Sequence, residues 1–274
     1  MKGVATIVLN RNLPEVTDRL CEHLLRYDGD CTDVFVVESG SAPEKVSRFA
    51  TWNADWKDAR EHGLRYGRGM NFGLGQLWES GRHHHYQAFF LLTNDTVLEP
   101  RPSVGPLMEI LRRHPRVGIL SPCSNRWGEK RLLADPTTRY FWFIHNNAYL
   151  LRRELIEALR NDASPAYMNF LFDGDNFRGY GMESELIAKG YANNWAAAIT
   201  AEVCSEENEE YLLHHSDLIR TEPYEENLRL YVEEGKAWMR RKYGFPSRWA
   251  MQQHVKNFYD RFFEFHPEEA CYKI

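Results

Sequence analysis

Apolar residues in the first half of the chain form short runs, separated by segments in which apolar residues recur with helical spacing. Residues 4–9 and 34–37 are apolar runs of strand length, and residues 14–27 between them carry an apolar stripe at every fourth position. A second helix is predicted from residue 43 to about residue 52. Because strands and helices alternate, this order predicts a parallel sheet with right-handed crossover connections.

A central apolar run, residues 88–92, stops abruptly at a polar turn that carries Asp95. A run of this length that is bounded by turn residues is typical of a parallel strand covered on both faces. Open α/β sheets bind their ligands just beyond the carboxyl ends of such strands, which makes Asp95 a candidate binding residue. An Asx turn that only caps the strand is the alternative.

The second half continues with further strands and then ends in helices. The pattern predicts strands at residues 117–120, 140–151 and 195–203, and helices at residues 103–114, at residues 153–160 and from residue 182. The predicted fold class is therefore α/β, with a Rossmann-like, mostly parallel central sheet flanked by helices and a C-terminal helical extension. We divide the chain into a main domain, residues 1–205, with halves 1–122 and 123–205, and an extension, residues 206–274.

The extension is predicted to contain two helices, residues 223–243 and a last helix that follows Ser247. Apolar residues of the last helix form a heptad-like seam, which consists of Met251, Val255, Phe258, Phe262 and Phe265. Docking of this seam on the chain's own core is favoured. A homodimer through the C-terminal helices is the second option, and a membrane-surface face is the third.

Composition narrows the class of protein. Of 274 residues 43% are hydrophobic, which is enough for one substantial core and a helical appendage. The net charge of −5 makes nucleic acid an unlikely partner. Five scattered cysteines without CxxC spacing favour a reduced, cytoplasmic protein. No apolar run approaches the roughly 20 residues that span a bilayer, so we expect no transmembrane segment. Peripheral association with a membrane is the alternative location.

Polar residues also follow the first two predicted strands. Asn10 and Arg11 end the first, and Glu38 ends the second. A carboxylate at this place can accept hydrogen bonds from a nucleobase or ribose. Helix capping by Asn10 and a solvated turn at Glu38 are the alternatives. The glycine-rich residues 67–75, which include Asn71, precede a predicted helix and are a weak signal for a phosphate or sugar site.

Glu183 and Glu185 lie in the first turn of the helix predicted from residue 182. The helix dipole favours acidic residues there, and the same field keeps a carboxylate ionised, as a general base requires. Asp173 and Asp175 form a DxD pattern that we interpret as an ordinary turn. Residues 83–85 are three histidines, which we expect in a solvated loop because side chains alternate along a strand.

Four stretches of the first half carry a family resemblance: TIVLNRN, DVFVVESGS, GRGMNFGLGQL, and FLLTNDTVLEP continuing through HPRVGILSP. In this order they resemble the inverting glycosyltransferases of family 2, which have the GT-A fold, and in particular their bacterial rhamnosyltransferase-like members. The resemblance covers roughly residues 4–122. It implies a nucleotide-sugar donor bound by seven residues: Leu9, Asn10, Arg11, Glu38, Asn71, Asn94 and Asp95.

The second half resembles that family more loosely, through IHNNAYLLRRELIEAL and YGMESEL. The resemblance implies that Glu183 is the general base and that Glu185 is a second acidic residue of the catalytic motif. It also implies a divalent cation, Mn²⁺ or Mg²⁺, held by Asp95 and His214. The sequence departs from the family pattern at Thr93, where the first acidic residue of the metal motif is expected, and at Glu183, where aspartate is usual.

The implied reaction moves a sugar from a UDP-, dTDP- or GDP-sugar to an acceptor hydroxyl with inversion, as in polysaccharide biosynthesis. The acceptor would be a glycan, a lipid-linked molecule or another hydroxyl compound, contacted by Trp127, Asn146 and Tyr180. Two alternatives stand beside it. Thr93 suggests a catalytically degenerate nucleotide-sugar-binding protein, and a nucleotidyltransferase is the other option.

Overall fold

The computed structural model describes residues 2–126, 128–133, 137–144, 148–162, 164–208 and 222–274. Nine strands in these residues pair into one sheet, which is flanked by helices. The strands are β1 (Val4–Asn10), β2 (Thr32–Glu38), β3 (Ala50–Asn53), β4 (Ala88–Thr93), β5 (Thr96–Leu98), β6 (Val117–Cys123), β7 (Thr138–Tyr140), β8 (Tyr149–Arg152) and β9 (Ala196–Glu207). The helices are α1 (Pro14–Asp28), α2 (Lys57–His62), α3 (Arg65–Glu79), α4 (Val104–Arg113), α5 (Arg153–Leu159), α6 (Met182–Ala192), α7 (Tyr224–Tyr243) and α8 (Arg248–Phe265).

The sheet has the order β3-β2-β1-β4-β8-β6-β9-β5, and β7 also pairs with β9. β1 lies between β2 and β4 and is parallel to both, as the alternation of strands and helices predicts. β8 is antiparallel to both of its neighbours, β4 and β6, so the sheet is mixed rather than mostly parallel. The predicted α/β class is confirmed. The parallel half brings the carboxyl ends of β1, β2 and β4 to one edge of the sheet.

Two predicted elements are wrong. Instead of a helix over residues 43–52, the chain forms a short 3-10 turn, Pro43–Lys45, and then β3, in which Trp52 stacks on Phe35 with ring centroids 5.1 Å apart. Residues 140–151 do not form one strand. Residue 140 ends β7, which pairs with β9, whereas residues 149–151 belong to β8, which pairs with β4 and β6.

The glycine-rich residues 67–75 lie inside α3 and not before a helix, so the expected anion-binding turn is wrong. A Cβ on Gly69 would lie 2.4 Å from Cδ1 of Leu9, and a Cβ on Gly73 would lie 2.9 Å from Cγ2 of Ile7. These glycines therefore let α3 approach β1 closely. Leu9 serves this packing and is partly buried under the helix.

The last helix docks on the chain's own core, as predicted. Tyr191 of α6 contacts Tyr259 and Phe262 of α8, with ring centroids 5.5 and 5.3 Å apart. The seam differs from the predicted one, because Phe265 is 72% exposed and Tyr259 faces inward. The division into domains and the homodimer stay predictions. Within the described residues, no helix combines the length and the apolar character needed to cross a membrane.

Candidate active site

The side chains that end β1 and β2 are bonded to one another. Nδ2 of Asn10 donates to both carboxylate oxygens of Glu38, at 3.0 and 2.9 Å. The backbone N–H of Ser47 donates to Oε1 at 2.9 Å, and the hydroxyl of Ser41 donates to Oε2 at 2.5 Å. Each carboxylate oxygen thus accepts two hydrogen bonds, which uses its lone pairs. Glu38 therefore holds the loops after β1 and β2, and a bond to a base or ribose would have to replace one of these four contacts.

Arg11 also supports loops in this structure. Its guanidinium donates to the carbonyl of Ser39 at 2.7 Å and to the carbonyl of Ala59, in α2, at 2.9 Å. Burial and then the charge of Arg65 lower the pKa of Arg11. The cation is held between backbone carbonyls, and contact with a donor phosphate stays a prediction.

Asn71 is fully buried in α3, and its amide is bonded within the protein. Oδ1 accepts from the backbone N–H groups of Leu171 and Phe172, both at 2.9 Å. Nδ2 donates to the carbonyls of Phe172 and Tyr167, at 2.7 and 3.2 Å. Both N–H groups and the oxygen are thereby occupied. Asn71 positions the segment before Glu183 in sequence, and its predicted contact with a donor stays untested.

The turn between β4 and β5 is fixed on two sides. Nδ2 of Asn94 donates to Oδ1 of Asn10 at 3.1 Å and to the hydroxyl of Thr17 in α1 at 3.2 Å. The carbonyl of Asp95 accepts from the N–H of Asn208 at 2.9 Å. Asp95 is buried and lines a cavity of about 460 Å³ between this turn and α1. The predicted donor residues Asn10, Asn94 and Asp95 thus lie together at the carboxyl edge of the sheet.

Glu183 is the second residue of α6, which begins after Gly181 in the left-handed conformation. Its side chain is 16% exposed, and its Oε1 accepts a hydrogen bond from Nη2 of Arg248 at 2.7 Å. Glu183 lines a small cavity of about 110 Å³. The other residues that line this cavity are Tyr66, Tyr149, Phe172, Arg178, Gly179, Met182 and Tyr231.

Tyr149 and Tyr231 line the Glu183 cavity, and Tyr149 also lies near the carboxyl end of β4. Tyr149 begins β8 and is the register partner of Leu91 in β4. Burial, then Tyr66 and the charges of Glu183 and Glu207 raise the pKa of Tyr149. Burial and then Glu183 raise the pKa of Tyr231 to about 12, and Glu207 adds to this shift.

Glu207 was missed in the sequence because the strand that carries it was predicted to end at residue 203. In the structure β9 continues to Glu207, which is the register partner of Thr96 in the strand after Asp95. Its charge also acts on Tyr149 and Tyr231, as the charge of Glu183 does. A predicted strand that ran on from residue 203 to residue 207 would have placed Glu207 at the carboxyl edge of the sheet.

Glu185 differs from Glu183 in its surroundings. It is buried, accepts a hydrogen bond from the hydroxyl of Tyr243, and pairs with Lys242 at 2.8 Å and with Lys189 at 3.3 Å. These contacts anchor the end of α7 on α6. A direct catalytic role for Glu185 stays a prediction, and the contacts indicate a structural one.

The DGD segment forms a turn, as predicted. Oδ1 of Asp173 accepts from the N–H of Asp175 at 3.0 Å, and Oδ2 accepts from Nε1 of Trp238 at 3.0 Å. Burial alone would raise the pKa of Asp173, but the bonds from Lys242 and Trp238 outweigh it and lower that pKa. The segment is an anchor for α7.

Arg178 was not singled out in the sequence. Its side chain is only 7% exposed, and its guanidinium pairs with Glu222 and Glu234 and donates to Oδ1 of Asn227 at 3.3 Å. Three acceptors from the C-terminal part thus hold a cation in the wall of the Glu183 cavity. No local pattern signals this, because the partners lie in a distant part of the sequence.

Tyr180 contacts Tyr231 and Arg248, two residues that also surround Glu183. Its ring meets that of Tyr231 edge-on at 5.0 Å, and the guanidinium of Arg248 lies 5.3 Å from its centroid. The other predicted acceptor residues, Trp127 and Asn146, and the predicted metal ligand, His214, lie outside the described residues.

Asp95 offers a carboxylate oxygen, which suits a hard cation that also binds phosphate and water. Among the described residues, Asp95 belongs to no group of three His, Cys, Asp or Glu side chains close enough to share an ion. Carboxylate oxygen is a ligand that Mg²⁺ and Mn²⁺ prefer, and Mg²⁺ commonly binds through one or two carboxylates, phosphates and water. Asp95 is therefore a candidate ligand for such an ion.

No protein-family model matches this sequence, and no curated protein sequence matches it. Solved structures do match. S. aureus TarS 1–349 in complex with UDP has a TM-score of 0.53 and 12% identity over 88% of this chain and 74% of that chain. The chain has the GT-A fold. The structure of S. aureus TarS has the same TM-score of 0.53, and this chain covers 44% of it, which is less than half.

A second GT-A match is glucosyl-3-phosphoglycerate synthase from Mycobacterium tuberculosis, in complex with Mn²⁺, UDP and phosphoglyceric acid. Its TM-score is 0.51, with 16% identity over 88% of this chain and 78% of that chain. The GT-A fold that the sequence resemblance implies is thus confirmed, while inversion and the rhamnosyltransferase-like subclass stay predictions.

Proposed function

We propose that this protein is an inverting glycosyltransferase that moves a sugar from a nucleotide diphosphate to an acceptor hydroxyl. The observation that carries the proposal is the convergence of carboxylates from different elements at the carboxyl edge of a GT-A sheet. Asp95 follows β4, Glu207 ends β9 beside it, and Glu183 shares its cavity with Tyr149, which begins β8 near the same edge. The matched TarS and M. tuberculosis structures contain UDP, which supports a nucleotide-bound donor here.

Glu183 is the proposed general base. The acceptor oxygen attacks the anomeric carbon from the side opposite the diphosphate, the bond from that carbon to the diphosphate oxygen breaks, and the acceptor proton passes to Glu183. Arg248 donates a hydrogen bond to Oε1 of Glu183 and places a positive charge beside the carboxylate. Arg248 also limits the rotation of the carboxylate, which aims it.

Asp95 is the proposed protein ligand of a divalent cation, with His214 as the second. When bound, Mn²⁺ or Mg²⁺ would neutralise charge on the departing diphosphate. The Mn²⁺ in the M. tuberculosis synthase structure supports this choice of ion. Leu9, Asn10, Arg11, Glu38, Asn71 and Asn94 form the proposed frame of the donor site, and their side-chain contacts indicate that most of them act by holding loops.

The acceptor side is proposed to include Trp127, Asn146 and Tyr180. The acceptor class is a glycan, a lipid-linked molecule or another hydroxyl compound, and a cytoplasmic place in polysaccharide synthesis is part of the proposal. The cavity at Glu183 is about 110 Å³, whereas small-molecule sites usually measure about 300–1,000 Å³.

Two observations favour a second candidate function, a nucleotide-sugar-binding protein without turnover. The cavity at Glu183 is small, and Thr93 stands where the family has an acidic residue of the metal motif. A panel of UDP-, GDP- and dTDP-sugars with Mn²⁺ separates the two. Release of a nucleotide diphosphate supports the transferase. Stabilisation in a thermal-shift assay by a nucleotide diphosphate and Mn²⁺, without release from any donor, supports the binding protein. Release of pyrophosphate from a nucleoside triphosphate would instead indicate a nucleotidyltransferase.

A further inference from the structure

A second group of ligating side chains lies at the opposite edge of the sheet. His83 and His84 belong to the 3-10 turn Arg82–His85 that leads into β4, and Glu157 belongs to α5. One ligand atom from each of the three residues lies within 4.8 Å of the other two. The three side chains line the same cavity, of about 610 Å³. The expectation of a solvated loop holds for His84 and His85, which are exposed, and fails for His83, which is buried. The 3-10 turn brings the rings of His83 and His84 to a centroid distance of 3.8 Å.

Packing and one hydrogen bond fix the orientation of the His83 ring. It is buried, and its ring stacks on Trp78 with centroids 4.5 Å apart and planes within 6°. Its Nδ1 lies 3.4 Å from the carbonyl of Leu77. A carbonyl only accepts, so this contact places the proton on Nδ1 and leaves the lone pair of Nε2 for a metal, as outer-shell carbonyls do for metal-bound histidines.

We propose that His83, His84 and Glu157 form a binding site for Zn²⁺. Two imidazoles and a carboxylate are a ligand set that Zn²⁺ accepts, whereas Mg²⁺ and Ca²⁺ prefer oxygen alone. Ligand atoms around a tetrahedral Zn²⁺ lie about 3.3 Å apart, given bonds of about 2.0–2.1 Å. His84 and Glu157 are exposed and close the remaining distance by side-chain rotation. The fourth coordination position opens to the cavity that these residues line.

Glu157 can leave its present ion-pair partner, Arg153, to bind Zn²⁺. Glu157 pairs with Arg153 at 3.4 Å, and Nε of Arg153 makes no hydrogen bond within the described residues, so the pair is loose. Arg160, one turn after Glu157, is already paired with Asp162. Zn²⁺ therefore displaces a long ion pair whose side chains are 27% and 41% exposed.

The proposed ion would join two segments that are distant in sequence. The histidine turn precedes Ala88 of β4, and Glu157 follows Arg152 of β8, and these two residues are register partners. Zn²⁺ would thus cross-link the amino end of β4 to the helix after β8. This site is separate from the proposed active site, because the carboxyl end of β4 carries Asp95. Zn²⁺ binding is therefore independent of glycosyl transfer.

The test is calorimetric titration of the full chain with ZnCl₂ in excess Mg²⁺, which occupies oxygen-only sites. His84→Ala and Glu157→Gln each remove an exposed ligand and are expected to weaken Zn²⁺ binding by at least about tenfold. His85→Ala, which removes an exposed histidine outside the group, and Asp95→Asn should bind as the unmodified chain does. Zn²⁺ at a hundredfold excess over its Kd should raise the Tm by about 5 °C or more, and His84→Ala should abolish that rise.

The visible spectrum of bound Co²⁺ gives a second readout, since a four-coordinate ion absorbs far more strongly than a six-coordinate one. A strong spectrum that is lost in Glu157→Gln supports the site. The proposal is overturned if His84→Ala and Glu157→Gln bind Zn²⁺ as tightly as the unmodified chain. It is also overturned if His85→Ala loses as much affinity as His84→Ala, because the histidine run alone would then chelate the ion.

Discussion

Nη2 of Arg248 donates a hydrogen bond to Oε1 of Glu183 at 2.7 Å, so the first residue of α8 holds the second residue of α6. The pair joins the C-terminal helices to the carboxylate that is the proposed base. The C-terminal part of the chain is therefore part of the candidate active site and not an appendage to it. This relationship gives the first two predictions.

Glu183→Gln is expected to reduce turnover by about 10²–10⁴-fold, because the amide cannot accept the acceptor proton. Donor binding should persist, since the amide has nearly the same shape as the carboxylate. The measurements are release of nucleotide diphosphate and thermal stabilisation by the donor. Glu154→Gln changes an exposed glutamate in the first turn of α5 and serves as the control. Full turnover in Glu183→Gln would end the assignment of the base.

Arg248→Ala is expected to lower kcat by about 10–100-fold, because the Glu183 carboxylate loses the hydrogen bond that fixes its orientation. Turnover is measured as release of nucleotide diphosphate. Arg248→Lys, which keeps a charged hydrogen-bond donor, should recover part of the loss in kcat. Arg241→Ala, at an exposed position in the last turn of α7, should leave kcat unchanged. An unchanged kcat in Arg248→Ala would mean that the pair only holds α8.

Asp95→Asn is expected to abolish the dependence of turnover on Mn²⁺, because the amide is a much weaker ligand than the carboxylate. Nucleotide diphosphate release is measured against Mn²⁺ concentration. Asp30→Asn, in the exposed turn after α1, is the control for loss of one negative charge. An identical Mn²⁺ dependence in Asp95→Asn would remove Asp95 from the metal site.

Asn71→Ala is expected to destabilise the fold by about 2–4 kcal/mol, because it leaves several buried backbone groups without partners. Urea unfolding measures this loss. Glu79→Ala, on the exposed end of the same helix, should change stability by less than about 0.5 kcal/mol. If Asn71→Ala were as stable as the unmodified chain but bound donor weakly, the residue would act on the ligand directly.

Asp173→Asn is expected to cost about 1–2 kcal/mol near neutral pH, because it weakens the bonds to Trp238 and Lys242. The pKa of Asp173 is lowered in the folded chain, so its contribution is present above the unfolded pKa of about 3.9 and is lost as the pH falls through the folded value. The stability difference between the two chains should therefore vanish in strong acid. Urea unfolding at several pH values checks this, and a difference that persists in acid would contradict it.

The order of elements was predictable where local pattern decides it. Residues 4–9 and 88–92 form buried strands that pair with each other in parallel, because apolar runs between helices leave few other arrangements. The helix predicted at residues 43–52 is wrong because residues 50–53 pair with β2 as an edge strand, in which Trp52 stacks on Phe35.

The candidate site was predictable only in part. Asp95 and Glu183 stand next to a strand end and a helix start, which sequence patterns reveal. The surroundings of Glu183 were not predictable, because Arg248 and Tyr231 reach it from helices distant in sequence. Asn71 and Glu38 carried a binding signal, but their hydrogen bonds lie within the protein, since polar residues at loop ends often serve to fix the loops.

β8 is only four residues long and runs against both neighbours, and this direction has a consequence for the whole molecule. Its first residue, Tyr149, reaches the edge that carries the carboxylates, and its last, Arg152, reaches the edge beside the histidine turn. A slip of one position would turn every side chain of the strand to the opposite face. Such a slip would displace residues at both edges of the sheet. The register of β8 therefore fixes the position of the carboxylate edge relative to the edge beside the histidine turn.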